Sequence, residues 1–260
     1  MNKELLIATK IVKETNQLLH KHFQRAGVRK MKFKKDDEIV TSIDLLSNRH
    51  ITTQLLKNFP TYDIVSEEAK KIDNPSTKTW HVDPLDGTTN FAYGYPEFAT
   101  CLGLENKNEI ELGVIGLPML NEIYYAEKNK GAWCDGQKIK VSKVAELKNS
   151  MFLICRGHSP AGRRRFHKFL NTLITKNVGH FRQFSCAGIE LSAVASGHAE
   201  ACVMANIHPW DVIAGIRIIL EAGGKVTNWQ GKPWQMSDDT MIASNGLIHN
   251  EIVKMTKNII

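Results

Sequence analysis

Apolar and polar positions divide this chain into helical and extended stretches. Residues 3 to about 25 carry Leu5, Leu6, Ala8, Ile11, Val12, Leu18, Leu19 and Phe23 at helical spacing, and Gly27 supplies a stop. Ile39, Val40 and Ile43 mark a turn into a second helix with Thr41 or Ser42 as its N-cap. Its stripe, Leu45, Leu46, Ile51, Leu55 and Leu56, runs to Phe59-Pro60. Residues 62–68 read as a short strand closing on Glu67-Glu68. Trp80-His81-Val82 reads as the end of another, which Pro84 halts before a tight turn at Gly87. Residues 99–104, 110–117 and 122–126 have strand character, and 130–136 resembles a hairpin turning at Asp135-Gly136. Beyond them come a strand over 151–155, a helix over 160–174, a helix over 188–196 ended by Gly197, and a buried strand over 199–204. Val212, Ile213, Ile216, Ile219 and Leu220 face one side of a helix that Gly223-Gly224 terminates. A strand begins at Lys225, and a last helix follows Gly246.

Helices and strands intermix with no repeat of 20–50 residues, so the pattern predicts an α+β fold rather than a solenoid or propeller. No Pro-, Gly- or Ser-rich linker interrupts it, and residues 1–260 are read as one domain. An N-terminal α+β half and a C-terminal α/β half are expected to meet near residue 145.

Composition adds exclusions. Hydrophobic residues make up 42% and charged residues 23%, the balance of an ordinary globular protein. The opening residues carry both charge signs and do not read as a signal peptide. No apolar run approaches the roughly 18 residues of a membrane span, so the expected location is cytoplasmic. The five cysteines are scattered without a CxxC pair, which suits free thiols better than a disulfide frame or zinc site. The net charge of +7 gathers at residues 29–35 and Arg163-Arg164-Arg165. Aromatic residues are not interleaved with these clusters to make a stacking platform, and no nucleic-acid-binding motif is present.

The candidate chemistry centres on Asp83-Pro84-Leu85-Asp86-Gly87-Thr88-Thr89-Asn90. Two carboxylates at a strand-to-turn corner, with the Leu85 carbonyl between them, offer the all-oxygen donors that hard divalent cations take. Gly87 and the following amides suit a phosphate if a helix begins there. The same letters also make a solvated surface turn. Asp44 in the first turn of its helix is explained alone by capping, as is Asp211 beside Trp210 at another helix start. Glu67-Glu68 would ordinarily be a surface dipeptide, though closing an apolar strand is less ordinary.

Asp44 after Val-Thr-Ser-Ile, Glu67-Glu68, the Asp83–Asp86-Gly-Thr motif and Trp210-Asp211 followed by AGIRIILEAGG stand in order along nearly the whole chain. Together they resemble the inositol monophosphatase family of the lithium-sensitive, Mg2+-dependent phosphatase superfamily. The resemblance implies a layered αβαβα sandwich. It implies that Glu67, Asp83 and the Leu85 carbonyl hold one Mg2+, that Asp83, Asp86 and Asp211 hold a second, and that a third site involves Glu67 and Asp83. It further implies that Thr88 with Asp44 activates the attacking water, that Glu68 supports them, and that Gly87 and Thr88 hold the phosphate. A homodimer is the family's common state.

For the substrate, Thr88-Thr89-Asn90-Phe91 follows the inositol-phosphatase form, and inositol monophosphate is the expected ester. Two departures fall in the implied pocket. Met204 stands seven residues before Asp211, where the family places a glutamate that binds a substrate hydroxyl. Arg182-Gln183-Phe184-Ser185-Cys186-Ala187 carries Ser185 in place of a glycine; of this segment Arg182, Ser185, Cys186 and Ala187 are candidate substrate contacts with Met204. Glu190 or Glu200 is a candidate replacement for the missing carboxylate. The alternatives are the same chemistry on histidinol phosphate, fructose 1,6-bisphosphate, a 3′,5′-nucleotide bisphosphate or NADP, or an accessory role with RNA polymerase or nucleic acid.

Overall fold

The computed structural model describes residues 2–23, 31–33, 39–156, 159–176 and 178–259. Gly27 and most of the basic stretch at 29–35 lie outside them. In chain order the elements are α1 (Lys3–Phe23), β1 (Met31–Phe33), β2 (Ile39–Thr41), α2 (Ser42–Asn58), β3 (Asp63–Ser66), β4 (Ala69–Ile72), β5 (Lys78–Asp86) and α3 (Thr88–Tyr93). There follow β6 (Ala99–Asn106), β7 (Glu109–Leu117), β8 (Glu122–Glu127), β9 (Ala132–Cys134), β10 (Gln137–Ile139), β11 (Met151–Arg156), α4 (Pro160–Thr175) and β12 (His180–Arg182). The chain closes with α5 (Ala187–Ala195), β13 (Ala201–Ala205), α6 (Pro209–Glu221), β14 (Lys225–Thr227), β15 (Thr240–Ser244) and α7 (His249–Thr256).

Eight strands form one sheet in the order β10-β9-β8-β7-β6-β5-β3-β4, five form a second in the order β12-β11-β13-β15-β14, and β1 pairs with β2. Helices α1 and α2 cover one face of the large sheet. Helices α5 and α6 lie between the two sheets, and α4 and α7 cover the outer face of the small one. This is the five-layered αβαβα sandwich. Leu5, Ile11, Val12, Ile51, Leu55, Trp80 and Leu102 fill the first gap between layers. Leu191, Val212, Ile213 and Ile216 of the central helices pack between Cys101 and Ile115 on one sheet and Cys202, Met204 and Met241 on the other. Phe152, Phe169, Val203, Trp229 and Ile252 fill the last gap.

Three local readings change. Residues 39–41 form a strand rather than a turn, because Met31–Phe33 supplies an antiparallel partner before Thr41 caps α2. Pro84 does not halt its strand. On one side β3 pairs only as far as Val82, and on the other the register with β6 shifts between Asp83 and Asp86, so the missing N–H falls at an irregularity. The Pro84 carbonyl instead accepts a hydrogen bond from Ser47 Oγ at 3.0 Å. Strand β15, a buried five-residue run, completes the second sheet between β13 and β14 and was not anticipated.

Helix α6 sits close against the large sheet because β7 offers Gly113 beneath it. A Cβ on Gly113 would fall 2.2 Å from the Ala214 carbonyl oxygen and 2.6 Å from its Cα, both helix backbone. Gly113→Ala is expected to push α6 outward and cost about 1–3 kcal/mol, the usual penalty of overpacking. A lowered urea midpoint with unchanged slope is the expected reading.

Candidate active site

The Asp83 motif owes its shape to the end of β5. Asp83 is 2% exposed, and its Oδ1 accepts the Leu85 N–H at 3.1 Å. Gly87 then adopts φ +84°, and a Cβ there would meet the Glu97 carbonyl oxygen at 2.8 Å, so the turn into α3 requires glycine. Thr88, the first residue of α3, points its Oγ1 at Asp44 Oδ1 (2.8 Å) and at the Leu85 carbonyl (3.0 Å). A hydroxyl has one proton, so it donates to one of these at a time. Engagement of the Leu85 carbonyl elsewhere would commit that proton to Asp44.

Asp44 does two jobs. As the third residue of α2 it completes a capping box, its Oδ2 accepting from the Thr41 backbone N–H at 2.8 Å and from the Thr41 hydroxyl. Its other oxygen receives Thr88. Burial pushes the Asp44 carboxyl up, against the hydrogen bonds from Thr41 and Thr88 that favour its ionised form.

A cavity of about 270 Å³ opens over this corner. Its wall from the first half of the chain is Glu67, Asp83, Leu85, Asp86, Gly87, Thr88 and Asn90, and Asp211 adds a further carboxylate from α6. Glu67 stands in the turn after β3, anchored by its N–H to the Val82 carbonyl at 3.2 Å. Asp211 repeats the capping logic of Asp44, its Oδ2 accepting the His208 N–H at 2.7 Å at the start of α6. The Asp86 Oδ2 accepts from the Gly188 N–H and from the Cys186 thiol (3.2 Å), which ties the motif to α5.

The electrostatic cost of this gathering is large. Burial, then the charges of Glu67, Asp86 and Asp211, hold the Asp83 carboxyl well above its usual range. Burial pushes Asp86 up to about 6, with the Gly188 and Cys186 hydrogen bonds opposing. Among the described residues no group of three or more His, Cys, Asp or Glu side chains is already posed as a cage for a metal ion. The carboxylates are instead an electrostatic cluster on one cavity. Carboxylate and carbonyl oxygens without sulfur are the donors a hard divalent cation takes, and such a cation relieves the repulsion that raises Asp83. The donor set fits Mg2+.

The remaining expected contacts divide. Ser185, held at φ +56°, and Ala187 line the cavity. Cys186 is fully buried and serves Asp86 rather than the cavity. Arg182 lies on the exposed edge strand β12, its guanidinium donating to the Phe181 carbonyl at 2.9 Å, and does not line the cavity. Glu68 also falls outside the lining; its N–H approaches Ser66 Oγ at 3.4 Å. Met204 is 0% exposed within the central packing and does not line the cavity. Neither glutamate replaces a carboxylate there. Glu200 accepts the Met151 N–H at 2.6 Å. Glu190, pushed up to about 8 by burial, accepts the Phe184 and Ser185 N–H groups at 3.0 and 3.2 Å and so shapes the loop from below. Sequence reasoning missed Cys155, Arg156, Gln183, Asn206, Ile207 and His208, which line the wall from the second sheet.

Comparison with known proteins agrees with this arrangement. Residues 1–260 match the inositol monophosphatase family. A fructose-1,6-bisphosphatase/inositol-1-monophosphatase of Thermotoga maritima is 35% identical over 252 residues, 96% of this chain and 94% of that protein. A putative Nus factor SuhB of Neisseria meningitidis is 29% identical over 259 residues, covering 98% of each. Among solved structures, the extragenic suppressor protein suhB of Bartonella henselae superposes with a TM-score of 0.94 at 27% identity, covering 100% of both chains. With the layers, the capped aspartates and the Asp83 corner on the same scaffold, the chain belongs to the inositol monophosphatase family.

Proposed function

We propose that this protein is a Mg2+-dependent phosphatase that hydrolyses a small phosphomonoester by direct attack of water. Inositol monophosphate is the reference substrate, and sugar bisphosphates stand within the same chemistry. The observation that carries the reading is the Asp44–Thr88 hydrogen bond beside a cavity lined by four carboxylates. Glu67, Asp83, the Leu85 carbonyl, Asp86 and Asp211 are the ligands for two to three Mg2+. When bound, these ions neutralise the phosphoryl oxygens and the developing charge on the leaving oxygen.

The chain's own residues then have defined tasks. Asp44 draws the Thr88 proton toward itself, leaving the Thr88 oxygen free to accept a proton from the attacking water. The Gly87 and Thr88 amides at the start of α3 receive phosphoryl oxygens. Glu68 supports the Glu67 turn from outside the cavity. Ser185, Gln183 and Ala187 meet the alcohol portion of the substrate, on a loop that Glu190 and Asn90 hold in place; Asn90 Nδ2 donates to the Phe184 carbonyl at 2.7 Å. Met204 acts here only by packing. A glutamate at that position would be a buried carboxylate, costly without a partner.

A second reading follows from the relative named as a putative Nus factor, in which the protein assists transcription. The described basic surface for it is Arg163 and Arg164, exposed on α4, since Arg165 is spent on a two-pronged contact with Asp239. Salt-dependent binding to RNA polymerase or RNA, at salt where phosphate release is unaffected, would favour it.

Phosphate release should be measured from inositol 1-phosphate, fructose 1,6-bisphosphate, histidinol phosphate, adenosine 3′,5′-bisphosphate and NADP, with Mg2+ or EDTA. Turnover of at least one ester that EDTA abolishes and Mg2+ restores is expected; release that survives EDTA would remove the metal reading. Asp86→Asn keeps an acceptor for the Gly188 N–H but removes the charge. Its kcat is expected to fall by about 10²-fold or more, against an unchanged circular dichroism spectrum. Near-normal turnover would take Asp86 out of the ligand set.

A further inference from the structure

Charge is divided across the cavity. All four lining carboxylates stand on the Asp83 corner, the Glu67 turn and the start of α6, and the wall from the second sheet has none. That wall is built where β11 and β13 end side by side. The two run parallel, with Arg156 in register with Ala205, and the residues that follow β13, Asn206 and Ile207, also line the cavity. Carboxyl ends of parallel strands are where open α/β sheets receive their ligands.

Arg156 is the one Lys or Arg among the described lining residues. It is half-buried and forms no ion pair among them. An arginine placed to neutralise the carboxylate cluster would be paired with one of its members. Arg156 instead stands on the opposite wall, with Gln183, Ser185 and Asn206 as neutral polar neighbours on the lining. A planar guanidinium with five N–H donors binds phosphate through paired hydrogen bonds, and in a partly desolvated site it favours an anion over a neutral hydroxyl. No carboxylate stands on this wall to accept a hydroxyl, so it is better suited to an anion than to a neutral polyol ring.

We propose that Arg156 binds a second phosphoryl group of the substrate, making small bisphosphates preferred over the corresponding monophosphates. The inference rests on the phosphatase reading for its turnover test and on equilibrium binding for an independent one. The probes are fructose 1,6-bisphosphate and fructose 1-phosphate, which differ only in the second phosphoryl group. In the wild type the ratio of kcat/KM, bisphosphate to monophosphate, is expected to be at least about tenfold, the size of one charge-assisted contact. Arg156→Gln should bring the ratio to within about twofold of one, chiefly through KM for the bisphosphate, and Arg156→Lys should restore part of it. Calorimetric titration of both esters into Mg2+-loaded Thr88→Ala protein, and into the same protein with Arg156→Gln, reads the preference as a ratio of Kd without turnover. A wild-type ratio near one, or one that Arg156→Gln leaves unchanged, would overturn the assignment. Absence of turnover with a binding preference that Arg156→Gln removes would retain Arg156 and reject the reaction instead.

Discussion

Mutual repulsion among carboxylates gathered on one cavity is the constraint around which this molecule is arranged. Asp83 is nearly inaccessible to water and feels three further acids, a state that a flexible loop would relax by moving apart. Here each acid is fixed by its backbone. Asp83 and Asp86 are held at the end of a strand inside an eight-stranded sheet, Asp211 by the cap of a helix between two sheets, and Glu67 by a backbone hydrogen bond to that same strand. A cation then draws on donors whose backbones are already placed, and what remains is for the side chains to turn toward it.

Capping supplies much of this precision. Asp44 and Asp211 each sit third in a helix and close a reciprocal set of hydrogen bonds with the residue before the helix. Structural and functional readings of these aspartates look like alternatives in a linear sequence, yet the folded chain uses both. One carboxylate oxygen of Asp44 serves the helix and the other serves Thr88. The capping bonds fix the carboxylate plane, and the free oxygen is thereby aimed.

What the sequence made legible was local. The Asp83 corner spans a few consecutive residues whose turn chemistry is written in Pro84 and Gly87, and the two capped helices follow from short motifs and apolar stripes. On the far wall only Ser185 and Ala187 were legible; Cys155, Arg156, Asn206 and Ile207 were not, because that part forms only where two parallel strands end together. Nothing near Cys155-Arg156 in the chain announces the Asp83 corner some 70 positions earlier. Met204 shows the opposite limit. Its spacing from Asp211 is right for a pocket residue, but spacing does not report depth, and the side chain is buried in the central core. Pro84 was misread because a ladder tolerates proline where its register slips, which depends on the partner strands rather than on the proline.

Helix α6 has a consequence for how the protein opens. It touches strands of both sheets as well as α5, so it cannot detach without exposing the central core. In amide hydrogen-exchange terms its interior belongs with the most slowly exchanging part of the molecule, released only by global unfolding. Asp211, carried on the first turn of α6, therefore belongs to the element that opens last.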